Sequence, residues 1–330
     1  MSQPSIQVIA IGNAIVDVMS PCADDLIDQL GLVRGGMTLV DTDRARELYD
    51  AMGPAREISG GSAANTLAGL AALGSRCAFI GQVADDQLGE VFAHDIRAGG
   101  ISFATPARAG DPPTARCLIF VTPDGQRTMN TYLGASQFLP SAALDETAIA
   151  DAEVLYLEGY LWDPEEPRAA MRRAIAAARN AGRKVAFTLS DAFVIDRHGD
   201  DFRALIDAGE IDILFANHVE LAALTGHEDF HLGIDALKTK VPMLVVTRGE
   251  DGAVAATGGA LFEVPAVPVG KVVDTTGAGD LFAAGFLHAH VGGHAPDACL
   301  RLGAICAAEI ISHYGARPEA NLRDLAGPLA

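Results

Sequence analysis

Short apolar runs alternate with longer stretches of helical spacing along nearly the whole chain. The runs at Ile6–Ile11, Cys77–Val83, Val154–Leu157, 184–189, Ile211–Phe215 and Met243–Val246 carry little internal polarity, the pattern of strands covered on both faces. Between them, segments 24–32, Asp43–Met52, 62–74, the stretch reaching Arg97, 165–181 and Pro296–Ile311 space their apolar residues for helices. Asp41, Thr42 or Asp43 can cap the second of these and Asp85 the fourth, while Pro167 and Gly182 bracket the fifth. A strand–helix alternation of this kind predicts an α/β protein with a mainly parallel sheet. One region departs from it. From Phe103 to Tyr132 the chain alternates as β structure, with Pro123-Asp124-Gly125 between Thr114–Thr122 and Arg127–Tyr132, a hairpin signal that predicts a small sheet standing apart.

Composition narrows the function classes. With 330 residues, 49% hydrophobic and 20% charged, the chain can bury a sizeable core and is not disordered by composition. Its formal charge of −19 argues against nucleic acid or an anionic membrane as the main partner. Any site for a polyphosphate must therefore build its positive potential locally. Cys22, Cys77, Cys117, Cys299 and Cys306 are scattered without Cys-x-x-Cys spacing, so they read as buried or free thiols of a reducing cytosol. There is no basic n-region ahead of Val8, so no signal peptide is expected, and no run suggests a membrane span.

The candidate chemistry begins at Val273–Asp280, where turn-forming residues lead into the apolar stretch Leu281–Phe286. Thr275 or Thr276 can cap the helix there, and the glycines leave the amides of 277–279 uncovered. Such a helix start attracts anions, because unpaired N–H groups and the macrodipole both point positive charge outward. Asp280 then has two readings. It is a helix-start acid balancing the dipole, or a general base beside an anion cradle, which is what phosphoryl transfer to an alcohol needs.

Other stretches carry polar residues where an α/β sheet binds ligands. Asn13 and Asp17 follow the first strand, Asp17 reading equally as a surface turn acid. Gly60-Gly61 lets backbone approach a ligand, and Asn65 is a polar residue in an apolar helix that needs a partner. Glu158, at a strand end, either serves a substrate or pairs with Arg172 or Arg173. Asn217 and Glu220 have capping-box spacing, yet a carboxylate beside triphosphate also suits a metal-bound water.

Taken together, Asp274–Asp280 followed by Phe282-Ala283-Ala284-Gly285-Phe286, the Gly60-Gly61-x-x-x-Asn65 element and Asn217-x-x-Glu220 resemble the PfkB, or ribokinase-like, carbohydrate and nucleoside kinases. The resemblance implies a three-layer αβα sandwich over 1–330 with a small β lid from about 12–41 and 101–134. It implies Asp280 as catalytic base and the amides of Gly277, Ala278 and Gly279 as anion hole. Asn13, Asp17, Gly60, Gly61 and Asn65 would take sugar hydroxyls. Asn217, Thr247, Arg248, Gly249, Gly252, Thr276 and His313 would serve ATP. Glu220 would hold Mg²⁺ through water, and Asp274 would be the side-chain ligand of a monovalent cation such as K⁺.

Ile11–Asp17 and Ser59–Thr66 resemble the adenosine-kinase branch, which implies adenosine as acceptor. Ribose, fructose and 2-keto-3-deoxygluconate stay open, because discrimination lies in the lid, where Arg116, Cys117, Phe120 and Tyr132 are candidates and Met37 may be read as lid or edge strand. The family's lid can also act as a dimer clasp, so monomer and lid-mediated homodimer are both expected forms. A nicotinamide dehydrogenase is disfavoured because the first strand leads to Gly-Asn-Ala-Ile-Val-Asp rather than Gly-x-Gly-x-x-Gly. A non-catalytic binding relative is disfavoured because Asp280 and its glycines are present.

Overall fold

The computed structural model describes residues 4–329. The apolar runs assemble into one large sheet, in the order Ala260–Val264, Ala253–Thr257, Met243–Thr247, Ile213–Asn217, Lys184–Thr188, Ala152–Glu158, Ile6–Ile11, Cys77–Ile80 and Ile101–Phe103. Six of these strands from Met243–Thr247 to Cys77–Ile80, together with the edge strand Ile101–Phe103, run parallel; Ala253–Thr257 and Ala260–Val264 add antiparallel strands at the other edge. Helices cover both faces over two separate apolar cores, one around Phe79, Phe92 and Phe286 and the other around Trp162, Phe187 and Phe202. This is the ribokinase-like α/β arrangement expected for the chain. Among the described residues no helix is long and apolar enough to cross a membrane.

The second sheet has the order Met37–Leu39, Arg127–Tyr132, Ala115–Val121, Ile15–Pro21 and Arg56–Gly60. The hairpin around Pro123-Asp124-Gly125 forms as anticipated, with Ala115–Val121 antiparallel to Arg127–Tyr132. Two assignments change. Arg56–Gly60, outside the expected lid segments, supplies an edge strand, and Ile101–Phe103 lies in the large sheet instead. The helix Gln87–Ala98 is capped by Asp86 rather than Asp85; the Asp86 carboxylate accepts from Gly89 N–H and also from Thr114.

The two sheets meet where the chain crosses between them. It leaves the large sheet at Ile11 and enters the small one at Ile15, then leaves the small sheet at Gly60 and enters the helix Ser62–Leu73. Gly61 makes the second crossing at φ 97°, and a Cβ there would stand 2.2 Å from the Asn13 carbonyl oxygen. Only glycine fits so close an approach in that conformation. The helix Ser62–Leu73 lies against Ala278–Val291 at equally short range, since a Cβ on Gly69 would meet Leu281 and Ala284 at 2.6 and 2.7 Å. That contact carries residues 62–65 to the start of the later helix, more than two hundred positions away in sequence.

Candidate active site

Asp280 sits where these crossings and the two helices converge. Its Oδ1 accepts from Ser62 Oγ at 2.7 Å and its Oδ2 from Asn65 Nδ2 at 3.1 Å. Burial raises its pKa, and the Ser62 and Asn65 bonds and the nearby Arg317 charge pull the other way. A raised carboxylate pKa moves an acid toward the range where it can take a proton at neutral pH. Asn65 thus finds the partner its apolar helix required, while its Oδ1 is buried with no partner in the chain. That orphan acceptor suits a hydroxyl donor from outside.

Asp17 faces the same space. The Gly60 Cα lies under its carboxylate, where a Cβ would meet Asp17 Oδ2 at 2.5 Å. Burial pushes Asp17 up to about 6, the charges of Arg317 and Arg127 act against the rise, and Asp280 adds to it. Asn13 is tied down at three points: its N–H and Nδ2 donate to Glu158 Oε1 at 2.7 Å each, and its Oδ1 accepts from Ser136 at 2.8 Å. Glu158 also accepts from Ala63 N–H at 2.7 Å, so one buried carboxylate staples both crossing points together. It pairs with neither Arg172 nor Arg173, which bind Asp201 and Glu146. Burial lifts Glu158 to about 7 against the pull of those donors.

Asn13, Ser62 and Glu158 form the polar end of a cavity of about 600 Å³ counted to its open mouth. Ile15, Met37, Leu39, Leu133, Tyr160 and Phe193 line most of the remainder, joined by Thr131 and Asp163, with the Tyr160 and Phe193 rings 6.0 Å apart. The expected lid residues divide by strand parity. Cys117 is paired with Asp17 and shares its face, whereas Arg116 and Phe120 are paired with Val16 and Ser20 and point to the opposite, buried side. Phe120 is enclosed in the core, and Tyr132 bonds Thr42 and lies under Arg116. Neither offers a surface to a ligand in the cavity; Tyr160 and Phe193, which carry no motif, take that place.

On the other side of Asp280, Gly277 caps the helix Ala278–Val291 in the left-handed conformation, φ 78°. Neither Thr275 nor Thr276 caps it; the Thr276 N–H and hydroxyl both donate to Asp274 Oδ1, at 3.0 and 2.7 Å. Among the described residues the Gly277 and Gly279 amides donate to no backbone acceptor, while the Ala278 amide is occupied by Thr275 O at 3.1 Å. The anion cradle is therefore open at two of its three amides, and Gly279 has free space where a side chain would stand.

Asp274 does not fit the role of cation ligand. Besides the two Thr276 donors it accepts from Gly315 N–H at 3.1 Å and from Arg127 Nη1 at 2.8 Å, so both oxygens are filled. Burial would raise its pKa, but those bonds and the Arg127 charge prevail and hold it below the usual carboxylate range. The positive charge expected there as a monovalent cation is supplied by a guanidinium from the small sheet.

Asn217 and Glu220 form the capping box in full. Asn217 Oδ1 accepts from the 219 and 220 amides, and the Glu220 carboxylate accepts from Asn217 N–H and Nδ2. Burial lifts Glu220 to about 7 and the Asp191 charge adds to the rise. Two neighbouring carboxylates, Glu220 and Asp191, are a donor set that suits a hydrated divalent cation. Thr247 ends its strand beside Arg248, but Arg248 folds back over Phe230, its Nη2 donating to Asp251 O at 3.1 Å. Gly249 borders open space, whereas a Cβ on Gly252 would lie 2.0 Å from Val264 O, so its glycine serves packing. His313 binds Glu309 at 3.0 Å within its own loop. Sequence reasoning missed Ser62, Arg127, Ser136, Tyr160, Phe193 and Arg317; of these only Ser62, adjoining Gly60-Gly61, lay inside a recognisable motif.

Comparison with known proteins agrees with this geometry. Residues 38–322 match the family described as pfkB family carbohydrate kinase. The structure superposes on an adenosine kinase from Sinorhizobium meliloti with a TM-score of 0.90 and 46% identity, covering 98% of this chain and 99% of that one. A fructokinase from Klebsiella pneumoniae is 30% identical over 73% of this chain and 79% of its own length. An ATP-dependent ribose-1-phosphate kinase from Halopiger xanaduensis is 32% identical over 79% of this chain and 83% of its own.

Proposed function

The chain belongs to the pfkB family of carbohydrate kinases, phosphotransferases acting on hydroxyl groups, and within that class we propose that it phosphorylates a nucleoside, adenosine foremost, at the expense of ATP. The shape and chemistry of the cavity carry this reading. Its polar end, beside Asp17, Asn65 and Asp280, is matched to the hydroxyls of a ribose. Its larger end is mainly apolar, lined by Ile15, Met37, Leu39, Leu133, Tyr160 and Phe193, with Thr131 and Asp163 the polar groups there. A free sugar would leave that lining unfilled or turn hydroxyls against it, where a polar group without a partner is costly. A purine would fill it, and stacking of a base on an aromatic side chain is worth about 1–3 kcal/mol. The likeness to an adenosine kinase points the same way.

In the reaction Asp280 takes the proton of the acceptor hydroxyl as its oxygen bonds to phosphorus, and the bond between that phosphorus and the departing ADP oxygen breaks. Ser62 and Asn65 hold the Asp280 carboxylate in line. The Gly277 and Gly279 amides donate to the charge on the phosphoryl oxygens. Glu220 and Asp191 would hold Mg²⁺ through water, and the ion would supply neutralisation of phosphate charge.

A sugar kinase is the second reading, favoured by the fructokinase likeness and by the independence of Asp17 and Asn65 from any base. Release of ADP across a panel of adenosine, guanosine, inosine, ribose and fructose separates the two. The nucleoside reading predicts the highest kcat/KM with adenosine, and 5′-deoxyadenosine acting as a competitive inhibitor that accepts no phosphate. Efficient turnover of ribose or fructose without any nucleoside activity overturns the acceptor and leaves the reaction class intact.

A further inference from the structure

Arg317 follows the helix Pro296–Ile310 in the loop that also contains Tyr314 and Gly315. Its guanidinium reaches back across more than two hundred and fifty positions to the second crossing segment of the site. Nε donates to Ser59 O at 3.1 Å, Nη2 to Ser59 O and to Ser59 Oγ at 2.9 Å, and Nη1 to Ala64 O at 3.0 Å. The carbonyls on either side of Gly60-Gly61-Ser62-Ala63 are thus gripped by one rigid fork. Ser59 is held from the other side by Asp95, which accepts from its N–H at 2.8 Å and its hydroxyl at 2.5 Å.

Every hydrogen bond of this guanidinium goes to a neutral acceptor. A charge withdrawn from water without a bonded counter-ion is expensive, so its compensation must come from charges nearby. Those charges are Asp17, Asp95 and Asp280, each of which favours the cationic form of Arg317 against the burial that opposes it. The relation is mutual: Arg317 opposes the rise of both Asp17 and Asp280. The other groups that face Asp280 are Ser62 and Asn65 from the helix Ser62–Leu73, Asp17 from the small sheet, and Tyr156, Glu158 and Tyr160 from the central strand and its end. Arg127 is the other cation acting on Asp17, and its guanidinium is committed to Asp274.

We propose that Arg317 is a positioning residue for phosphoryl transfer, which clamps the Ser59–Ala64 crossing in its acceptor-binding form and supplies the shared counter-charge that keeps Asp17 and Asp280 ionised at neutral pH. The same loop seats the cradle, since Gly315 N–H donates to Asp274 and Ala316 packs where a Cβ on Gly277 would lie 2.9 Å away. The proposal rests on the reading of Asp280 as base.

Arg317→Met and Arg317→Lys test it, with pH profiles of kcat/KM for adenosine or for the best acceptor found. In Arg317→Met the acid limb should move up by about one pH unit, so that the loss is about threefold larger at pH 6.5 than at pH 8.5. Arg317→Lys keeps the charge and loses the fork, so its acid limb should stay in place while KM for the acceptor rises and KM for ATP does not. An acid limb unmoved in a folded Arg317→Met protein, with a loss equal at every pH, reduces Arg317 to a scaffold residue and overturns the proposal. Should Arg317→Met not fold, the Lys variant decides: a shifted limb despite the retained charge also overturns it. Failure of the underlying reading is seen separately, as near-normal turnover in Asp280→Asn with Arg317 intact.

Discussion

The acceptor side and the nucleotide side of the site are built in opposite ways. On the acceptor side Asn13, Ser62, Asn65, Glu158 and Asp280 hold one another through side-chain hydrogen bonds. On the nucleotide side the polar side chains are occupied by groups no more than four residues away: Thr276 by Asp274, Arg248 by Asp251, His313 by Glu309 and Asn217 by Glu220. What faces outward there is backbone, above all the Gly277 and Gly279 amides. The difference teaches how the two ligands are told apart. Hydroxyls are recognised by direction, which demands fixed side chains, whereas phosphate is recognised by charge, which a helix start can supply from any sequence that leaves its amides bare.

The contrast can be broken most sharply at Asp280, where the two sides join. Asp280→Asn keeps the shape and removes the base, so kcat should fall by roughly 10²–10⁴-fold, while ATP binding measured by titration stays intact. Turnover near the starting level would remove Asp280 from the chemistry.

Protonation of Asp17 should weaken the acceptor side. With Asp17 raised to about 6 by burial, its charged form is lost as pH falls through that value, and kcat/KM should drop about tenfold per unit below it. Stability has the opposite sign: the native state binds this proton more tightly than the unfolded chain, so this group's contribution declines as pH rises from 3.8 to about 6 and is level above. A pH profile and a denaturation series check the two slopes; an acid limb absent at pH 5 would show that Asp17 binds nothing in its charged form.

Glu158→Gln should be felt as stability. The amide keeps one acceptor oxygen and turns a donor toward the Ala63 N–H, which leaves a buried donor facing a donor at a cost of about 1–3 kcal/mol. Denaturant unfolding reads it, and an unchanged midpoint would mean that the staple is dispensable.

The smallest effect is expected at Glu220, where the nucleotide side is sharpened. Weakening the box in Glu220→Gln should cost about 1 kcal/mol, and loss of metal organisation should raise the Mg²⁺ needed for half-maximal rate. A lower melting temperature with an unchanged Mg²⁺ requirement would leave Glu220 as a cap only.

Motifs with fixed local spacing were legible before the structure: the glycines around 60 and 277, Asp280 and the Asn217–Glu220 box each show as a short pattern, although the partners of Asp280 lie more than two hundred positions away. The strand–helix rhythm likewise announced the large sheet. What could not be read are the contacts that span the fold. Arg317 to Ser59, Arg127 to Asp274 and Glu158 to Asn13 join residues 145 to 258 positions apart, and no local pattern marks them. Phe120 and Tyr132, which the sequence left open between facing the substrate and packing within the hairpin, were undecided for a different reason. Alternation states that neighbouring residues face opposite ways, but which parity faces the ligand is set by the register with Ile15–Pro21. Thr276 as a cap failed because Asp274, two residues back, offered its hydroxyl a charged acceptor.

The Arg127–Asp274 bridge ties a strand of the small sheet to the residue that shapes the anion cradle. A displacement of the small sheet on filling the space under it would carry this guanidinium with it and so reach the cradle. Thermodynamic linkage then requires symmetry. If an acceptor tightens the nucleotide by some factor through this bridge, the nucleotide tightens the acceptor by the same factor. Each ligand would then be the other's effector, with one arginine as the shared coordinate.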